Sequence, residues 1–156
     1  MLLLLLVWPS SRAGWGFLDF LFEFVGVLFF IGGAIIVFLA IRELFRHSVP
    51  KLEGSAKDRI LKAVRVVLPQ PMEDAKLVTS GVFRTVRHPI YGGLILIGYA
   101  VGIGSGPWPH LFFAIALHVT LHYKATLEEK FLTEKFDDYA EYSLRTNRFF
   151  PKVEDD

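Results

Sequence analysis

Three stretches of the chain, 24–41, 90–108 and 107–123, run for 18, 19 and 17 residues without an Asp, Glu, Lys or Arg. A helix needs roughly 20 apolar residues to cross the hydrocarbon of a bilayer. In that medium the backbone must satisfy its own polar groups, which a helix does within one segment. The runs therefore predict an all-α, integral membrane helical bundle with about three full transmembrane helices. The composition agrees. The chain is 53% hydrophobic, carries 15 Phe in 156 residues and has a mean hydropathy of +0.42, too apolar for an ordinary soluble domain of this length. It contains no Cys, which excludes disulfides, thiolate metal sites and cysteine nucleophiles.

The charge is segregated along the chain. Of the 17 Lys and Arg, ten fall in 42–87, six in 124–156 and one, Arg12, ahead of the first span. Cytoplasmic loops of membrane proteins carry the excess of Lys and Arg. The basic segment and the C-terminal tail are therefore expected in the cytoplasm, with the turn at 104–110 and the N-terminus outside. One multi-pass domain results. Residues 1–16 form a partial or re-entrant apolar segment, 17–41 a span, 42–88 the basic segment, 89–123 a helical hairpin and 124–156 the tail. The leader MLLLLLVW has no positive start and no small-residue cleavage site, so it fits a signal peptide poorly. Residues 56–68 (AKDRILKAVRVVL) read as a basic amphipathic helix, lying on the membrane surface or standing as a solvated loop helix. Its partners are lipid headgroups rather than nucleic acid.

Small residues punctuate the spans. Gly26, Gly32, Gly33, Ala34 and Ala40 line the first. Gly98 and Gly102, with Ala100 and Gly104, give the second a small-xxx-small pattern of the kind that packs helices closely, within a chain or between chains. The GIGSG at 102–106 follows no strand, so it is a turn and not a phosphate cradle.

Polar chemistry collects at one end of the hairpin. Arg84, Arg87, His88 and Tyr91 precede the second span, where Pro89 can open a helix. Lys124, Glu128 and Glu129 follow the third. Folding 89–123 into a hairpin brings the two groups together where membrane meets water. A site there can take a charged ligand from one phase and an apolar one from the other. The carboxylates can accept hydrogen bonds from hydroxyl or amino groups, and the cations and His can hold an anion. On residue types alone, snorkelling to headgroups explains the cations as well. His118, His122 and Glu129 share a helix face, but helix packing or cavity lining accounts for the histidines better than a metal does, and no metal is expected. Ser80, Ser105 and Thr120 lack the neighbours of a nucleophilic triad.

The order LVTSGVF (77–83), RHPIYGG (87–93), a hairpin, EEKFL (128–132) and FDDYAEYSLRTNRFFP (136–151) resembles the isoprenylcysteine carboxyl methyltransferase family, which is related to the membrane phospholipid methyltransferases. The resemblance implies an enzyme that uses S-adenosyl-L-methionine without a Rossmann domain. By motif position it implies cofactor contacts from Leu77, Val78, His88, Pro89, Ile90 and Tyr91. Glu128 matches the cofactor-binding glutamate, and Glu129 is its pair. Phe83 joins this set where the family usually has Tyr. Arg87, His88 and Tyr91 form the reacting end. Lys124, where prenylcysteine enzymes have arginine, and Arg148 are the substrate-binding candidates. The resemblance implies a lipophilic or lipid-anchored acceptor, and because a lysine lacks the bidentate fork that grips a carboxylate its headgroup stays open. Two alternatives stand beside this reading. One is an NADPH-dependent membrane reductase of sterol-reductase type, with Arg84 and Arg87 on the 2′-phosphate. The other is a non-catalytic membrane scaffold.

Overall fold

The computed structural model describes residues 17–48, 77–104 and 108–151. The expected re-entrant segment at 1–16, the amphipathic helix at 56–68 and the centre of the hairpin turn at 105–107 lie outside the described residues.

The first helix, α1, is Phe17–Ser48. The apolar run was expected to end it at Ile41, but the helix continues. Arg42 to Ser48 holds no Gly or Pro, and Glu43 pairs one turn on with Arg46 at 3.8 Å and His47 at 3.1 Å. Such i,i+3 and i,i+4 pairs support a helix past its apolar stretch. At 1.5 Å per residue α1 is roughly 48 Å long, well over the ~30 Å of bilayer hydrocarbon. Its charged end therefore has length enough to emerge.

After a short 3-10 turn, Gly81–Arg84, come α2, Pro89–Gly104, α3, Trp108–Lys135, and the short α4, Tyr139–Arg145. Among the described residues one helix is long and apolar enough to cross a membrane, over Phe20–His47, and Pro89–Gly104 is apolar but shorter. Helix α3 is apolar through Tyr123 and charged beyond it. Large apolar side chains stand exposed on α1 (Phe20, Phe24, Val27, Phe38) and on the apolar half of α3 (Phe112, Ile115, Val119). Contiguous exposed apolar surface of this kind marks a membrane or partner face.

Helix α2 is the middle layer, and its two small-residue faces serve different neighbours. Toward α1, Gly26, Gly33 and Ala40, seven residues apart, are buried in one seam. A Cβ on Gly33 would lie 2.6 Å from the Gly93 carbonyl oxygen, and one on Gly93 would lie 2.7 Å from that of Gly33. The two backbones touch, so any side chain there would push the helices apart. Toward α3, Gly98 meets Leu117 and Gly102 meets Leu111. The small-xxx-small pattern is thus used inside the chain. These pairings, with Tyr99 beside His118, make α2 antiparallel to α3. A core of Ile95, Leu121, Ala125 and Phe149, flanked by Tyr91, Leu94, Tyr99 and Leu117, fills the space just on the apolar side of the charged residues.

Candidate active site

The end of α2 that begins at Pro89 and the charged half of α3 lie side by side, and the C-terminal segment closes them. Asn147 pairs with Val86 in a parallel bridge. The Arg87 and His88 amides donate to the carbonyls of Asn147 and Arg148, each at 2.8 Å. This short ladder carries Arg148 and Phe149 back over the start of α2. The approach requires glycine at 92, where a Cβ would sit 2.4 Å from the Phe149 carbonyl oxygen. Tyr142 adds a second tie, its hydroxyl donating to the Phe83 carbonyl at 2.6 Å. Burial, partly offset by the Arg87 charge, pushes that phenol up to about 12.

Glu129 is the hub. Its Oε1 accepts from Arg87 Nε at 3.0 Å, Arg148 Nε at 3.1 Å and lies 3.2 Å from His88 Nε2, while its Oε2 accepts from Arg148 at 2.5 Å. Arg148 is therefore bidentate, the strongest geometry for this pair. Burial drives the Glu129 carboxyl up, but the bonds from His88, Arg148 and Arg87 outweigh it and hold the group well below the usual carboxylate range. Both arginines are committed further. Arg87 donates to the carbonyls of Ser143 (2.7 Å) and Thr146. Arg148 donates to Thr126 Oγ1 at 3.1 Å and lies 3.0 Å from His122 Nε2.

Glu128, the next residue, looks elsewhere. Its Oε1 accepts from the Tyr91 hydroxyl at 2.5 Å and lies 3.8 Å from Lys124 Nζ; among the described residues its Oε2 meets only His88 Nδ1, at 3.6 Å. His88 is buried between the two glutamates and stacks on Tyr91, with rings 5.4 Å apart and 3° from parallel. Lys124 Nζ lies 5.3 Å from the centroid of the Tyr91 ring. Among the described residues this side of the cluster keeps unfilled acceptor capacity on Glu128, and the side chain of Lys124 is 41% exposed.

The structure thus brings together Arg87, His88, Tyr91, Lys124, Glu128, Glu129 and Arg148. Pro89 and Ile90 open α2 directly beneath them. Leu77 and Val78 are half-buried in an irregular segment before the 3-10 turn, and Phe83 is buried within that turn. Ser143 and Thr146, which hold Arg87, and Thr126, Asn147 and Gly92 were not singled out from sequence. Thr126 joins His122 and Glu129 at helix spacing on one face, a pattern that was open to reading. Asn147 and Gly92 act through backbone approach, which leaves no mark in residue spacing. The histidines are used internally, His118 by Tyr99 at 3.1 Å and His122 by Arg148. Among the described residues no group of three His, Asp or Glu is placed to hold a metal.

A membrane-associated helical protein with an ionic hub where two apolar helices end is the class this geometry defines. A family model described as phospholipid methyltransferase matches residues 59–139, and the chain belongs to that family. It is 39% identical over 80 residues to the cobalt-zinc-cadmium resistance protein CzcN of Cupriavidus metallidurans, covering 49% of this chain and 36% of the relative. It is 32% identical over 83 residues to probable protein-S-isoprenylcysteine O-methyltransferases of both rice subspecies, Oryza sativa indica and japonica, covering 51% of this chain and 42% of each relative. The chain spans less than half the length of these relatives. The family and the two rice relatives carry methyltransferase names.

Proposed function

We propose that the protein transfers a methyl group from S-adenosyl-L-methionine to a lipophilic acceptor at the cytoplasmic face of a membrane that it crosses three times. The observation that carries this reading is the asymmetry of the paired glutamates. Glu129 accepts from three side chains, whereas among the described residues the Oε2 of Glu128 has no partner closer than 3.6 Å. A carboxylate held at a water-accessible helix end with acceptor sites to spare is suited to receive an ammonium group.

The donor set fits the cofactor's chemistry. Glu128 would receive the amino group of its methionine part, and Leu77, Val78, Ile90 and the His88–Tyr91 stack offer the apolar and aromatic surface that an adenosine needs. When bound, the cofactor supplies an activated methyl on a cationic sulfonium. The chain's own work is to hold the acceptor in line and exclude water, and positioning of this kind supplies several kcal/mol. Lys124 is the residue to orient an anionic acceptor, because Arg148 is committed to Glu129. A carboxylate acceptor is ionised already and needs no base. An amine acceptor must lose a proton, and His88 or Glu128 would be the base. The acceptor enters from the bilayer across the exposed apolar faces of α1 and α3.

The test is calorimetric titration of the detergent-purified protein with S-adenosylhomocysteine, with NADPH titrated in parallel. One-site binding of the former that collapses in Glu128→Ala is expected. Binding of NADPH alone would transfer the protein to the reductases, and binding of neither would leave a scaffold.

A further inference from the structure

Glu43 is the one carboxylate in the last turns of α1, and its side chain is only 13% exposed. Its Oε1 accepts a hydrogen bond from Ser80 Oγ at 2.7 Å, across 37 residues of chain. His47, one turn further on, brings Nε2 within 3.1 Å of the same oxygen and 2.9 Å of the same hydroxyl. Two features of the partner segment single this contact out. Ser80 occupies the N-cap of the turn Gly81–Arg84, where a serine hydroxyl ordinarily accepts from the first free amides. Here it makes no capping bond and is turned to α1 instead. Gly81 has φ of 58°, a left-handed conformation that favours glycine, and a Cβ there would lie 2.7 Å from Glu43 Cδ. The glycine lets the backbone come down onto the carboxylate.

We propose that Glu43 is a positioning residue for the cofactor pocket, and that Glu43, His47 and Ser80 form a latch fixing residues 77–84 against α1. This rests on the proposed function, in which Leu77 and Val78 are cofactor contacts. Residues 77–80 belong to no helix or strand. Their place is set by the clamps beside them, Ser80 on Glu43 at one end of the turn and Phe83 on Tyr142 at the other. The Tyr142 clamp belongs to the tail, which the ionic hub already orders. The Glu43 clamp is what ties the same turn to the first span. It thereby makes α1, which contributes nothing to the Glu128–Glu129 cluster, part of the cofactor site.

Two readouts test the latch. The first is amide hydrogen exchange over 77–84, which reports local opening directly. Glu43→Leu and Ser80→Ala should speed exchange there by about tenfold or more while leaving the protected core of α2 unchanged. Glu43→Gln, whose side-chain oxygen still accepts from Ser80, should remain close to wild type. The second readout is affinity for S-adenosylhomocysteine, expected to weaken about tenfold in Glu43→Leu and to be restored by Glu43→Gln, as for a site whose competent form is less populated. Unchanged exchange at 77–84 in Glu43→Leu would overturn the latch whatever the cofactor. Faster exchange with unchanged affinity would overturn its role in the pocket. A wild-type protein that binds no S-adenosylhomocysteine but shows the exchange pattern would sink the methyltransferase reading and leave the latch standing.

Discussion

Glu128 and Glu129 are adjacent on α3, about 100° apart around its axis, and the regions they face are built differently. The Glu129 side is closed. Two arginines and a histidine fill the carboxylate, and those arginines reach on to the carbonyls of Ser143 and Thr146 and to Thr126. Among the described residues the Glu128 side is more open, with one short hydrogen bond, a lysine at 3.8 Å, His88 at 3.6 Å and spare acceptor capacity. The difference teaches how a small membrane protein can keep a polar site in place. One carboxylate fastens the tail over the helix ends, and its neighbour takes little part in that fastening.

Changes on the closed side should therefore damage the fold, and changes on the open side should damage binding. The largest effect is expected for Glu129→Ala. It strands two half-buried guanidinium groups, and removing one member of such a network costs on the order of 3 kcal/mol. Thermal unfolding in detergent should register it as a large fall in Tm, and a Tm within a degree or two of wild type would erase the distinction. The same carboxyl gives the protein an acid limb. Its pKa is depressed on folding, so its contribution is fully present above the ordinary value of 4.5 and is lost as pH falls below it. Wild type should lose Tm steeply on acidification through that range, and Glu129→Gln, already less stable, should lose much less.

Gly92→Ala comes next. Its methyl group would meet the Phe149 carbonyl, lifting the segment that delivers Arg148, at a cost of about 2 kcal/mol for overpacking. Limited proteolysis should then cut the tail sooner than in wild type. Glu128→Gln should move stability by no more than about 0.5 kcal/mol yet weaken S-adenosylhomocysteine by at least about tenfold, or 1.4 kcal/mol. Equal losses of Tm in Glu128→Gln and Glu129→Gln would dissolve the contrast. The smallest effect belongs to Tyr139→Phe. Tyr139 is buried, and its hydroxyl has no hydrogen-bond partner among the described residues. Removing a polar group that gains nothing from burial should leave Tm unchanged or raise it slightly.

Much of this site was legible from sequence because its residues lie at the ends of apolar runs. Once 89–123 folds back on itself, Arg87, His88 and Tyr91 must lie near Lys124, Glu128 and Glu129. What stayed hidden were bonds that run through the backbone. Arg87 was expected at the reacting end, and nothing in its spacing announced that it grips the carbonyls of Ser143 and Thr146. Arg148 was expected to meet substrate, and its bidentate hold on Glu129 depends on the Val86–Asn147 bridge, which residue types do not encode. The extension of α1 to Ser48 was missed because hydropathy marks where lipid ends and not where a helix does.

By itself the sequence determined that the chain is helical, that its apolar runs belong in or against a membrane, and that its titratable residues gather at one end. Those follow from composition and period, which act locally. Only the tertiary structure decided which carboxylate is saturated and which is left open, and that Glu43 of the first helix reaches Ser80. The reason is geometric. Hydrogen bonds turn on a few tenths of an ångström between residues tens of positions apart, and that proximity exists only after glycine seams have let the helices touch.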